Sequence, residues 1–179
     1  CTPEFAWLRE TVRQRALGKL EMVSGYLAQG WLKPTAGSWR QDPKHSGGGQ
    51  AYDSGAHLLN SLCWTVESDI AEVFAFIDNV GSAVDINSSI NLRFTNGVMA
   101  SMVVGGNCPA NGASMHFLFD SGRVDIDGWS GEWVNVWDAA GRVKYPAIAG
   151  RSQTPDDNFI DAILGRAEPR TSIQNGIVQ

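Results

Sequence analysis

The stretch Asp85 to Gly106, DINSSINLRFTNGVMASMVVGG, decides the fold. Two runs of strand-forming residues, DINSSINLRF and VMASMVVGG, flank Asn96-Gly97. Asn-Gly between such runs is the strongest short hairpin signal, because both central positions of a type I′ turn need positive φ. In the second run the apolar residues fall on both sides of the pleat. Val98, Met102 and Val104 share one face, and Met99 and Val103 the other.

The same pattern continues outward. SMHFLFD and RVDIDG flank Ser121-Gly122, and EWVNVWD and RVKYPA flank Ala140-Gly141, which predicts two more hairpins. Upstream, IAEVFAFI (70–77) and KLEMVSGYLA (19–28) read as strands. Three segments have helical spacing instead. PEFAWLRETVRQRAL (3–17) lies between a proline and Gly18, the second runs from about Gln50 to Val66, and PDDNFIDAILGR (155–166) opens on a proline and two acids. Residues 30–49 read as loop. The predicted class is α+β: a large, mainly antiparallel open sheet with helices on one face. All three helices lie outside 70–145, so they can cover only one side. Yet Phe117 and Phe119 alternate with His116 and Leu118, and Trp133 and Trp137 with Val134 and Val136. A solvated face would alternate strictly. The second face is therefore expected to be covered as well, most simply by a second copy of the chain in a two-fold homo-oligomer.

Composition narrows the function. The 179 residues suit one domain, and 43% hydrophobic with 18% charged residues is a globular balance. A net charge of -5 argues against a nucleic-acid partner. Arg9, Arg13, Arg15 and Lys19 cluster, but Glu4, Glu10 and Glu21 interleave with them as on a solvated helix face. Three cysteines without CxxC spacing form neither a disulfide framework nor a zinc site, and Cys63 in LLNSLCW reads as a small core residue. With no signal peptide and no apolar run of membrane-spanning length, a soluble, cytoplasmic setting is expected. The chain begins CTPEF and ends RTSIQNGIVQ within an apolar pattern. It is expected to be one domain, 1–179, cut from a longer protein.

One segment carries candidate chemistry: Ser46 to Asn60, SGGGQAYDSGAHLLN. On a continuous helix Asp53, His57, Asn60 and Trp64 share one face, at i, i+4, i+7 and i+11, while Leu58, Leu59, Leu62, Cys63 and Val66 share the other. Asp53 is the helix's single charged residue, so its polar face is expected to meet a cleft or another domain. Gly47 to Gly49 permit close approach and positive φ, and leave the first helix amides free for an anion or hydroxyl. Asp53 beside His57 would raise the imidazole's basicity and hold its tautomer, an arrangement for removing a hydroxyl proton near neutral pH. The plainer alternative is a helix N-terminal Asp and a structural His. A metal would need a third ligand. His45 and His116 belong to no ligand motif, so no metal is predicted. GxGxxG, GxxxxGK[ST] and GxSxG are all absent.

The segment GSWRQDPKHSGGGQAYDSGAHLLN resembles the WR…GGG…DxGxH signature of the glucose-fructose oxidoreductase / inositol dehydrogenase / rhizopine catabolism (Gfo/Idh/MocA) family. NLRFTNGVMASM is similar to that family's Phe-x-Asn-Gly hairpin, and DDNFIDAILGRAEPRTSIQNGI to its late helix. Order and spacing match over nearly the whole chain. The resemblance implies an N-terminal Rossmann domain that binds NAD or NADP, absent here. It also implies a C-terminal α+β domain whose open sheet makes the oligomer interface. The implied substrate is a sugar, polyol or related cyclic alcohol held between the domains. Asp53 and His57 fall on the family's catalytic pair, and Trp39, Arg40, Tyr52 and Asn60 on or beside its substrate-binding positions. Asn60 stands where Asp is frequent, and the family's Glu-Lys-Pro lysine has no counterpart. The resemblance therefore implies half of an active site: no activity alone, no cofactor binding alone, and a missing Rossmann domain as partner. Two other readings share this fold, a non-catalytic binding or assembly module and an NAD-dependent, redox-assisted glycosidase.

Overall fold

The computed structural model describes residues 2–143, 146–148, 153–170 and 172–178. Among these residues eight strands form one sheet: β1 (Leu20–Gly30), β2 (Ile70–Asp78), β3 (Asn87–Phe94), β4 (Met99–Gly105), β5 (Asn107–Phe119), β6 (Gly122–Asp127), β7 (Val134–Asp138) and β8 (Gly141–Val143). Their order across the sheet is β2-β3-β4-β1-β5-β6-β7-β8. All three predicted hairpins are present as antiparallel pairs, β3/β4, β5/β6 and β7/β8. Gly97 supplies the positive φ of the first turn at 90° while Asn96 stays outside that region, and the other two turns fall one residue earlier than read, at Asp120-Ser121 and Ala139-Ala140, with Gly122 and Gly141 already paired in the ladder. Lys144 and Tyr145, assigned from sequence to the last strand, lie outside the described residues.

The sheet is mainly antiparallel, as read from the sequence; β1 inserts between β4 and β5 and runs parallel to β4. Other features depart from that reading. Strand β5 starts at Asn107, seven residues before the predicted SMHFLFD run. Ala28 pairs with Gly112 but Gly30 with Asn107, so residues 108–111 bulge out of the ladder. Pro109, which has no N–H to give a ladder, sits within that bulge. Residues 30–49 are not plain loop. They contain a 3-10 turn (Trp39–Gln41) and the short helix α2 (Pro43–Ser46), capped by the Asp42 carboxylate on Lys44 N–H at 3.0 Å.

The first helix, α1 (Pro3–Gln14), ends earlier than predicted, because Arg15 takes the left-handed conformation at φ 52°. The predicted 50–66 helix is two pieces, α3 (Gln50–Asp53) and α4 (Gly55–Val66). Helices α1 and α4 lie on one sheet face. Phe5 and Leu8, with Leu58, Leu62 and Val66, bury against Val23, Leu27, Met102, Val104, Met115 and Phe117. The C-terminal helices are α5 (Pro155–Ile163), opened by a capping box between Thr154 and Asp157, and α6 (Ile173–Val178). A second, small cluster of Trp31, Val84 and Ile86 joins the β2–β3 loop to the end of β1.

Candidate functional site

The site begins at Trp31, just past β1. Its N–H and that of Leu32 both donate to the Gly106 carbonyl at 2.8 Å, and its ring packs with Val84 and Ile86. So held, Trp31 donates Nε1–H to Asp53 Oδ2 at 2.8 Å. Arg40 Nε lies 3.3 Å from the same oxygen, and its guanidinium covers the Trp39 ring 4.8 Å from the centroid. The structure thus brings Trp39, Arg40 and Asp53 into one cluster and adds Trp31, which the sequence reading missed.

The glycine run works differently from expectation. The Asp85 carboxylate accepts from Gly49 N–H at 2.6 Å and from Ala51 N–H at 2.7 Å, and the Asp85 carbonyl accepts from Gln50 N–H at 2.9 Å. The first amides of α3 are therefore taken by the β2–β3 loop, not left for a ligand. A Cβ on Gly49 would stand 1.9 Å from the Asp85 carbonyl oxygen, so this contact requires glycine. The Tyr52 ring lies over Gly47 and Gly48, and the residue is 68% exposed.

His57 is exposed, while its neighbours Leu58 and Leu62 are fully buried. It is not a core histidine. Its ring meets Trp129 edge-on, 5.5 Å between centroids at 67°. Among the described residues there is no hydrogen bond between Asp53 and His57; Asp53 engages Trp31 and Arg40 instead. Asn60 is half-buried one turn further along α4. Trp64 leaves this polar face for the helix layer, where the Arg9 guanidinium of α1 covers it at 4.3 Å. Burial pushes the Cys63 thiol up to about 11, as befits a packed neutral group.

Behind Trp129 lies a cavity of about 430 Å³, lined by Leu27, Gln29, Asn111, Asp127 and Trp129 among others. The β5 bulge supplies Asn111 and the end of β1 supplies Gln29. The Asp127 carboxylate pins the 127–132 turn. Burial opposes its ionisation, but donors from Ser130, Glu132 and Trp129 outweigh it and hold its pKa below the ordinary carboxylate value. The signal for Trp129 was present in DIDGW, an Asp-Gly turn followed by an aromatic. It pointed to no ligand because nothing local to it reveals the distant bulge. Among the described residues, no group of three or more His, Cys, Asp or Glu could hold a metal ion, and no helix is long and apolar enough to cross a membrane.

Comparison with known proteins fits this architecture. The fold is similar to aldose-aldose oxidoreductase from Caulobacter crescentus complexed with glycerol (TM-score 0.83, 21% identity, 98% of this chain and 55% of that one). It is similar to an NAD-binding protein from Listeria innocua (TM-score 0.74, 23% identity, 97% and 54%). It also resembles GenD2 from gentamicin A biosynthesis in complex with NAD (TM-score 0.75, 19% identity, 99% and 55%). The chain spans about half the length of these solved proteins. No curated protein sequence matches it. The model of the GFO/IDH/MocA C-terminal domain matches residues 5–126, most of the chain, and the protein belongs to that family.

Proposed function

We propose that this chain is the substrate and assembly domain of an NAD(P)-dependent oxidoreductase acting on a sugar, polyol or related cyclic alcohol. The observation that carries the reading is the placement of His57: exposed, in edge contact with Trp129, which itself lines a cavity, and clear of the core that buries Leu58 and Leu62. An imidazole so placed can take the proton of a hydroxyl near neutral pH. Asp53 contributes by fixing Trp31 and Arg40 through one carboxylate oxygen. Trp39, Tyr52 and Asn60 complete the substrate contacts in this reading.

The described residues do not fit a nicotinamide dinucleotide. There is no strand–glycine-turn–helix fingerprint, and the one glycine-rich helix start is held by Asp85. The proposal therefore assigns NAD or NADP to an N-terminal Rossmann domain of a longer parent. In the longer parent, His57→Asn should lower turnover of a polyol substrate by about 10²–10⁴-fold and leave the cofactor Kd unchanged. Unchanged turnover would sink the role of His57.

A second copy of the chain covers the open sheet face in this reading. Register places Met99, Met22 and Leu118 in one row across β4, β1 and β5, and Val103 and Tyr26 in another. Between them runs a polar row, Ser101, Ser24, His116 and Asp125. His116 Nδ1 lies 2.8 Å from Asp125 Oδ1, and Arg123 Nε lies 3.1 Å from the same oxygen. Two apolar rows around a polar one whose His116 and Asp125 are paired suit a two-fold contact burying more than about 1,000 Å².

A further inference from the structure

We propose that β2 is a self-pairing edge: two copies of the chain join their β2 strands antiparallel about a two-fold axis at Ala75, which runs the two sheets into one. This contact is separate from the open-face contact and goes beyond the oxidoreductase reading. Strand β2 ends the sheet order, and among the described residues no strand lies beyond it. Every residue of β2 after Ile70 is exposed, and Val73, Phe74, Phe76 and Ile77 are each more than half exposed. Neither face of the strand is covered. Register sets Val73, Ala75 and Ile77 on the helix side with Leu92, Ile90 and Ser88, and Phe74 and Phe76 on the open side with Asn91 and Ser89. Monomeric proteins protect such an edge with Lys, Pro, a bulge or an inward-pointing charge. From Val73 to Ile77 there is none of these.

The edge is complementary to itself. Glu72 to Asp78, EVFAFID, reads acid, β-branched, aromatic, Ala, aromatic, β-branched, acid in both directions. An isologous two-fold contact needs that symmetry. With Ala75 on the axis, Val73 meets Ile77 of the second copy and Phe74 meets its Phe76, on matching faces. The backbone has the right phase. The Asp78 carbonyl accepts from Ile86 N–H at 3.1 Å on the β3 side, so alternation turns the N–H and C=O of Val73, Ala75 and Ile77 outward. Ala75 with Ala75 and Val73 with Ile77 then form the hydrogen-bonded pairs. Phe74 with Phe76 forms the non-bonded pair, whose side chains stand closer. Phe74 and Phe76 of one chain already meet edge to face, 4.9 Å at 89°, so four rings gather across the axis. Each Phe carries about 150–250 Å², more than half of it exposed. With the Val and Ile side chains, two copies bring the contact near the ~1,000 Å² of a specific interface. The acids limit its length. Glu72 meets Asp78 of the second copy, like charge against like, while Glu72 lies 3.5 Å from Arg93 and Asp78 Oδ1 accepts from Val80 N–H at 2.9 Å. Pairing stops at the five residues 73–77 and tightens as salt screens the acids.

The test is analytical ultracentrifugation of the 179-residue chain carrying Val103→Lys, which removes the open-face contact, from about 5 to 500 μM. A reversible two-chain species is expected, with a Kd of about 10–100 μM that tightens severalfold from low to high salt. Phe76→Lys should weaken it at least about tenfold. Ala75→Pro, whose lost N–H points away from β3 and so spares the fold, should do the same. On the axis residue 75 faces its own copy about 5.5 Å away, within disulfide reach, whereas the two copies of residue 73 lie roughly 14 Å apart. Under mild oxidation Ala75→Cys should give covalent dimer at least about fivefold faster than Val73→Cys or the Val103→Lys chain itself. A monomer across the whole range would overturn the inference. So would association unchanged by Phe76→Lys and Ala75→Pro, equal crosslinking at 73 and 75, or growth beyond two chains, which marks open-ended aggregation. The turnover of His57→Asn tests the oxidoreductase reading separately.

Discussion

The two faces of the central sheet come from the same strands and alternate residue by residue, yet they have opposite fates. On the helix side Val23, Leu27, Ala100, Met102, Val104, Met115 and Phe117 are buried under α1 and α4. One residue away along each strand, Met22, Tyr26, Met99, Val103 and Leu118 stand in the open. Local propensity cannot separate Phe117 from Leu118 or Val104 from Val103. The difference teaches that burial is set by what is laid on the sheet. It also teaches that an apolar face left bare is a prediction about a partner.

The largest expected effect breaks the comparison directly. Phe117 is 0% exposed and Leu118 37%. Phe117→Ala should destabilise the chain by about 3–5 kcal/mol, and Leu118→Ala by less than about 1 kcal/mol in the monomer, measured by urea unfolding at dilute concentration. Similar losses at both positions would mean that the second face is already covered within one chain. Next comes association. Val103 is 51% exposed at the centre of the open face. Val103→Lys should leave monomer stability within about 0.5 kcal/mol but weaken self-association by about 2 kcal/mol or more, read by light scattering across a dilution series. A wild-type chain that is monomeric at micromolar concentration would remove the partner argument.

A smaller effect sharpens the covered side. Glu67, at the end of α4, accepts from Arg13 Nε at 2.5 Å and also pairs with Arg9, which ties α1 to α4. Hydrogen bonding from Arg13 holds the Glu67 carboxyl below its ordinary 4.5; burial opposes this and Arg9 adds to it. Because the folded pKa is depressed, the stabilisation is present above the unfolded value and is lost as pH falls through the folded one. Glu67→Gln should cost about 0.5–1 kcal/mol at pH 7, and the difference from wild type should vanish on acidification. A difference independent of pH would assign the effect to packing. An effect absent at neutral pH concerns Cys63, whose thiol burial raises to about 11. A group kept neutral in the fold contributes nothing to pH dependence below its ordinary 9.0 and loses stability as pH rises toward 11. Cys63→Ala should flatten that alkaline limb of the melting profile, and an unchanged limb would place its cause elsewhere.

The candidate residues were legible because their signals are local. Asp53 and His57 fall on one segment, and that segment's lack of other charge pointed to a cleft; in the structure His57 is exposed and meets Trp129, which lines a cavity. The expectation of free amides after Gly47 to Gly49 failed because their acceptor, Asp85, lies far along the chain in the β2–β3 loop. The unbroken polar face failed for a related reason. Trp64 is one more helical step from Asn60, but α1 packs over it and takes it into the helix layer. Trp31 and Trp129 were missed because their partners, Asp53 and His57, are in other elements.

By itself the sequence determined the period of most segments, the approximate places of three hairpin turns, and the α+β class, since each depends on neighbours within a few residues. Only the tertiary structure decided that β1 enters the sheet between β4 and β5, parallel to one and antiparallel to the other. That insertion places Gln29 beside the β5 bulge, and β1 opens the way to Trp31 and Asp53. Pairing across the chain is chosen by the burial of whole faces, and that is a property of all the elements packed together.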